Sequence, residues 1–187
     1  MIYPEISLRR ACLVGVRGVG KTTLIRSVIE RLPHVEFVVG SAILRELAGS
    51  DFVRFDHLPP DVKLAYREAA VEWMENRQAA NGKHILCDGH TSLLDESTGR
   101  VSAVFTESDC RFFRELIILE APADIVLMRR WNDLSKRRAL DFALIEEELA
   151  GERETSLRIA HDRGMVLHEL PGSGDSTTAL ALENILR

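Results

Sequence analysis

The chain has 187 residues, 45% of them hydrophobic and 28% charged, with a net charge of −5. That composition suits a globular protein with one sizeable core, and its acidic balance speaks against direct nucleic-acid binding. No apolar run approaches the roughly 18 residues of a membrane span, so no membrane partner is expected. Residues 1–10 include Pro4, Glu5, Arg9 and Arg10 and contain no apolar stretch of the kind a secretion signal needs. Cys12, Cys87 and Cys110 are odd in number and lack C-x-x-C spacing. They argue against a disulfide framework or zinc site and make the reducing cytoplasm the expected compartment.

In chain order, the first strong signal is a short apolar run over 11–16, read as a buried strand, leading into Gly15-Val16-Arg17-Gly18-Val19-Gly20-Lys21-Thr22. This is the full G-x-x-x-x-G-K-[ST] pattern, and the amphipathic stretch 21–32 after it reads as a helix. Each residue type has a reason. Gly15, Gly18 and Gly20 let backbone N–H groups, including that of Val19, curl around phosphate oxygens, and the helix start at Lys21–Thr23 aims its partial positive charge at the same anion. Lys21 supplies a point charge to the β- and γ-phosphates, and the Thr22 hydroxyl is placed to ligate Mg²⁺.

Strand-like runs then alternate with helical ones: strands over 35–39, 85–88, 116–119 and 165–170, helices near 42–48, 61–80, 123–133, 141–161 and 177–186. That alternation predicts βαβ units and a parallel sheet of five strands covered on both faces, a three-layer α/β/α fold in a single domain spanning 1–187. Pro59-Pro60 sets the start of the long helix, and Val62, Tyr66, Ala69, Trp73 and Ala80 form its expected apolar stripe. Two stretches read as irregular, 91–110 and the basic segment 134–140; such segments in compact α/β domains are usually lids or binding loops.

The strand at 85–88 ends in Asp88, followed by Gly89 and His90. An acid at the end of the strand beside a phosphate loop orders Mg²⁺ or its water shell, which makes Asp88 a second metal candidate. Three roles are open to His90: orienting a phosphate, positioning a water, or bonding to backbone. Arg129, Arg130, Lys136, Arg137 and Arg138 fall within ten residues, opposed only by Asp133. They read either as a solvated helix end or as a lid over residues 129–141 that carries guanidinium groups to the transferring phosphoryl group, where planar cations do most of the catalytic work.

Taken together, the phosphate loop, the Asp88-Gly89-His90 strand end and the Arg129-Arg130…Arg137-Arg138…Asp141 segment resemble the P-loop nucleoside monophosphate kinases, in particular the archaeal-type adenylate kinases and the Asp-x-His adenylate kinase-like ATPases. The resemblance implies transfer of the γ-phosphate of Mg·ATP to AMP or a similar monophosphate, with ATP and Mg²⁺ as cofactors. It implies that Lys21 and the loop amides hold the ATP phosphates, that Thr22 and Asp88 place Mg²⁺, and that Arg129 or Arg130 packs against adenine. Arg137 and Arg138 would clamp the transferring group, Asp141 would pair with a lid arginine, and the Gly172-Ser173-Gly174 loop would border the base. The acceptor would lie over residues 41–80, with Ser41, Arg45, Arg54 and His90 as its candidate contacts. The segment after His90 departs from the archaeal pattern, carrying acids and hydroxyls in place of Gly and Pro. Another small-molecule kinase, or an ATP-dependent binding or assembly factor with slow ATPase activity, therefore remains an alternative.

Overall fold

The computed structural model describes residues 8–95, 98–133 and 140–187. Five strands, β1 (Arg10–Val14), β2 (Val35–Val39), β3 (His84–Asp88), β6 (Glu115–Glu120) and β7 (Val166–Pro171), form one parallel sheet in the order β2-β3-β1-β6-β7. The expected α/β/α architecture is present. The central strands β1 and β6 are near-continuous apolar runs because helices cover both faces. Alternate residues of β1 divide the core. Ala11 and Leu13 face a cluster with Leu24, Ile25, Val28, Val126, Leu182 and Leu186. Cys12 and Val14 face a second cluster with Ile43, Val71, Met74, Phe112 and Phe113.

The first cluster is capped by α1 (Lys21–Val28), which tightens into a 3₁₀ turn at Ile29–Arg31, by α5 (Ala123–Asn132) and by α7 (Ser176–Leu186). The second is capped by α2 (Gly40–Ala48), α3 (Pro60–Asn81) and α4 (Glu107–Phe112), with the end of α6 (Phe142–Arg163). Local chemistry sets these boundaries. Pro60 opens α3 and Gly82, left-handed at φ +64°, closes it. Asp141 and Asp175 cap α6 and α7 by accepting from Leu144 N–H at 3.1 Å and Thr178 N–H at 2.8 Å. The Asp141 carboxylate, expected to pair with a lid arginine, is thus a helix cap.

Two expectations need correction. The stretch 91–110 is not irregular: β4 (Ser92–Asp95) and β5 (Arg100–Ala103) form an antiparallel hairpin, and Thr106 and Asp109 make a reciprocal capping box that starts α4. The hairpin lies on α6, where Gly151 leaves room for Val101; a Cβ there would stand 2.5 Å from Val101 Cγ1. The buried face of α3 is also rotated from the predicted stripe. It comprises Ala70, Val71, Met74 and Gln78, while Tyr66 and Trp73 are half-buried and Ala80 is exposed. Gln78 belongs on that face because its side chain donates to the Arg9 and Lys83 carbonyls, which periodicity cannot show. No helix among the described residues is long and apolar enough to cross a membrane.

Candidate active site

A cleft of about 830 Å³ opens at the carboxyl end of the sheet, where ligands of such folds bind. One half is built around the loop between β1 and α1. Gly15 carries φ +144°, and a Cβ there would meet the Leu119 carbonyl oxygen at 2.5 Å, so only glycine lets the loop leave the sheet edge at that point. Lys21 is buried, its ammonium group donating to the Gly15 carbonyl and standing 3.7 Å from Asp88 Oδ1. Burial pulls its pKa down, opposed by the nearby charges of Asp88 and Glu152. The Thr22 hydroxyl lies 3.2 Å from Asp88 Oδ2. A hydroxyl and a carboxylate so placed are hard oxygen donors suited to Mg²⁺. Among the described residues no cluster of three or more His, Cys, Asp and Glu side chains could hold a metal.

The expected site residues are distributed unevenly. Gly18, Val19, Gly20, Lys21, Thr22, Thr23, Ser41, Asp88, His90, Arg129, Gly172 and Gly174 line the cleft. Ser173 lies beside it, its hydroxyl 3.0 Å from that of Thr178. Arg129 donates to the Val19 carbonyl at 2.6 Å and to the Gly172 carbonyl at 2.7 Å, tying the phosphate loop to the loop after β7. Arg130 is only 4% exposed; it donates to the Arg17 carbonyl at 2.9 Å and to Glu148 at 2.5 Å. Of the two arginines expected against adenine, Arg130 is therefore under the loop, and only Arg129 reaches the cleft. Arg137 and Arg138 lie outside the described residues.

Arg45 and Arg54 are not brought to the cleft. The Arg45 guanidinium carbon stacks 4.7 Å from the Phe52 ring centroid on the exposed side of α2. Arg54 pairs with Asp51 at 2.9 Å on a side chain 71% exposed. The arginine that does line the cleft on the side of α2 and α3 is Arg67, half-buried on α3 above the Phe55 ring, with Asp56 and Asp109 nearby. Sequence reasoning passed over it because it follows Tyr66 within a helix rich in charged residues, where an arginine reads as part of the solvated face.

Two buried acids on α6 were also missed. Glu152 accepts from the backbone N–H groups of Gly15 (3.1 Å), Thr91 (3.0 Å) and Ser92 (2.6 Å) and from the Ser92 hydroxyl (2.8 Å). Glu148, one turn earlier, holds Arg130. In sequence both belong to an acid-rich helix that looks solvated. Together they fix the rear of the phosphate loop and the chain after His90 to one rigid helix. The buried Nδ1 of His90 has no hydrogen-bond partner among the described residues and lies 3.9 Å from Glu152 Oε1. Burial, then the positive charges of Lys21 and Arg17, push its pKa well below the usual histidine value, so the ring is neutral at pH 7.

This fold and site define a P-loop protein with a three-layer α/β/α fold. The chain belongs to the AAA domain family AAA_17, whose model matches residues 14–147. Solved structures with the same fold include an unliganded sugar kinase from Janibacter sp. HTCC2649 (18% identity, TM-score 0.58, covering 96% of this chain and 94% of that one). They also include shikimate kinase from Bacteroides thetaiotaomicron (15%, TM-score 0.56, 95% and 98%) and shikimate kinase from Acinetobacter baumannii in complex with shikimate (16%, TM-score 0.58, 96% and 94%). No curated protein matches the sequence.

Proposed function

We propose that the protein is an ATP-dependent kinase that phosphorylates a small molecule held between α2, α3 and the β4–β5 hairpin. The observation that carries this reading is the continuity of the cleft. It runs from the phosphate loop and the Thr22–Asp88 pair to a second compartment lined by Ile43, Phe55, Arg67, Met74, Phe105 and Asp109. A nucleotide hydrolase needs room for a water at the γ-phosphate; a compartment of this extent suits a second substrate. Phosphoryl transfer is mainly positioning and charge neutralisation, so a scaffold that lays an alcohol beside the γ-phosphate supplies most of what the reaction requires. That the structural neighbours include sugar and shikimate kinases supports a hydroxylated acceptor on such a scaffold.

In this reading the loop amides and Lys21 hold the ATP phosphates, and Thr22 and Asp88 would hold Mg²⁺, which would supply charge neutralisation to the phosphates. Arg129 and Gly172–Gly174 border the base. Arg137 and Arg138 clamp the transferring group, so Arg138→Ala lowers kcat far more than ATP affinity. Nucleoside monophosphates are the second reading, supported by the Asp88-Gly89-His90 strand end; that neither Arg45 nor Arg54 lines the cleft counts against it. The deciding experiment is a coupled ADP-release assay with Mg·ATP against AMP, CMP, UMP, GMP, dAMP and a panel of small hydroxylated compounds, beside a no-acceptor control. Acceptor-dependent turnover is the expected result. Slow hydrolysis indifferent to every acceptor overturns the kinase reading in favour of an ATPase binding factor.

A further inference from the structure

The acceptor half of the cleft holds two opposite charges that do not meet. Arg67 on α3 and Asp109 on α4 both line it, and each lies within the other's electrostatic field. Yet neither forms an ion pair with the other, and the Arg67 guanidinium has no hydrogen-bond acceptor among the described residues. Asp56 adds a second carboxylate on the Arg67 side.

Each charge is held where it is. One oxygen of Asp109 accepts from both the N–H and the hydroxyl of Thr106, each at 2.7 Å, so the carboxylate cannot swing toward Arg67 without uncapping α4. The Arg67 guanidinium carbon lies 6.0 Å from the Phe55 ring centroid. Burial disfavours the charged form of both groups, drawing the Arg67 pKa down and the Asp109 pKa up. Phe55, Met74 and Phe113 give the surrounding wall an apolar character. Two partly desolvated charges kept apart in an apolar compartment are costly unless a ligand neutralises them.

Their chemistry names the ligand. A guanidinium with no hydrogen-bond acceptor among the described residues calls for an oxyanion that can take two parallel N–H bonds, and a carboxylate oxygen with no donor there calls for a cationic donor. A ligand bearing the oxyanion alone leaves Asp109 and Asp56 as uncompensated negative charge beside it. A dianionic nucleoside monophosphate worsens that imbalance. We propose that the acceptor is a small hydroxylated zwitterion, its oxyanion on Arg67, its ammonium on Asp109 and its hydroxyl directed at the phosphate loop. The inference rests on the kinase reading above. The acceptor oxygen forms a bond to the γ-phosphorus, the bond from that phosphorus to the β–γ bridging oxygen breaks, ADP leaves with the electron pair, and the hydroxyl proton passes to water.

The test is ADP release by the full chain with three matched sets of alcohols across a range of chain lengths and rings. The sets are hydroxy amino acids with a carboxylate or phosphonate, the same skeletons without the ammonium, and the same skeletons without the oxyanion; AMP is a fourth arm. The carboxylate and phosphonate arms separate the two sources of the oxyanion. The expected result is a kcat/KM for the best zwitterion at least ~10-fold above either truncated form, the size of one charge-assisted contact. Arg67→Gln should then raise KM for oxyanion-bearing acceptors and Asp109→Asn for ammonium-bearing ones, a crossed pattern that general damage to the fold does not produce. A best acceptor that is AMP or lacks either charge, or an uncrossed pattern, overturns the zwitterion and leaves the kinase reading standing. Failure of every arm, with only acceptor-independent hydrolysis, overturns the kinase reading itself.

Discussion

The two halves of the cleft are built on opposite plans. In the nucleotide half four charged groups have partners: Lys21 on the loop carbonyls and near Asp88, Arg129 on two backbone carbonyls, Arg130 on Glu148, and Glu152 on three N–H groups and a hydroxyl. In the acceptor half Arg67 and Asp109 stand apart among aromatic and aliphatic side chains. The nucleotide half is preorganised around a ligand whose phosphates are invariant, so its donors can be locked before binding. In the kinase reading proposed above, the acceptor half keeps its polarity in reserve for the substrate, where specificity is decided.

The largest expected effect comes from the centre of the nucleotide half. Lys21→Ala should cost at least ~10³-fold in turnover, about 4 kcal/mol of transition-state stabilisation, with an unchanged circular dichroism spectrum. Turnover within tenfold of wild type would remove Lys21 from the phosphate site. Next is the frame behind it. Glu152→Gln replaces one of its two accepting oxygens by an amide N–H₂, which then faces either the Gly15 and Thr91 N–H groups that donate to Oε1 or the Ser92 N–H that donates to Oε2, so about 2–4 kcal/mol of stability should be lost. At a few degrees per kcal/mol in a chain of this size, thermal unfolding should show the loss clearly. A melting temperature unchanged within a degree would mean that the loop does not lean on α6.

A smaller effect separates protonation from packing. His90 has a folded pKa below its unfolded value, so the unfolded chain binds the extra proton as pH falls below about 6.5. The stability carried by neutral His90 is present above that pH and is lost progressively beneath it, with a slope of at most about 1.4 kcal/mol per pH unit. Urea midpoints from pH 7 to 5 should fall less steeply in His90→Asn than in the wild type; parallel curves would mean that the ring is not held neutral. The smallest effect is at Arg54. Its exposed pair with Asp51 predicts that Arg54→Ala changes stability by under ~1 kcal/mol and leaves acceptor KM alone. A many-fold rise in KM would return Arg54 to the acceptor site.

The contrast between the halves also explains what could be read in advance. The phosphate loop needs glycines, a lysine and a hydroxyl at fixed spacing because a contiguous backbone wraps the ligand, so the contacts of Lys21 and Thr22 are written in consecutive residues. Asp88 was legible because a strand end has only one place to be in a parallel sheet. Arg67, Asp109, Glu148 and Glu152 are not of that kind. They come from α3, α4 and α6, and each resembles a solvated residue of a charged helix until those helices are docked. The same limit moved the apolar face of α3 from Tyr66 and Trp73 to Ala70 and Met74, and concealed the β4–β5 hairpin, whose short strands gain their stability from lying on α6 at Gly151.

The alternation of apolar strands and amphipathic helices, and with it a five-stranded parallel sheet with a phosphate loop at its carboxyl edge, was written in the residues alone, because periodicity and loop chemistry are local. Docking of the helices was needed to bring Arg67 to the cleft, to bury Glu148 and Glu152 behind the loop, and to put Arg130 under the loop while its neighbour Arg129 lines the cleft. Those outcomes depend on which helix faces meet across the sheet, and burial and charge pairing arise only once they have met.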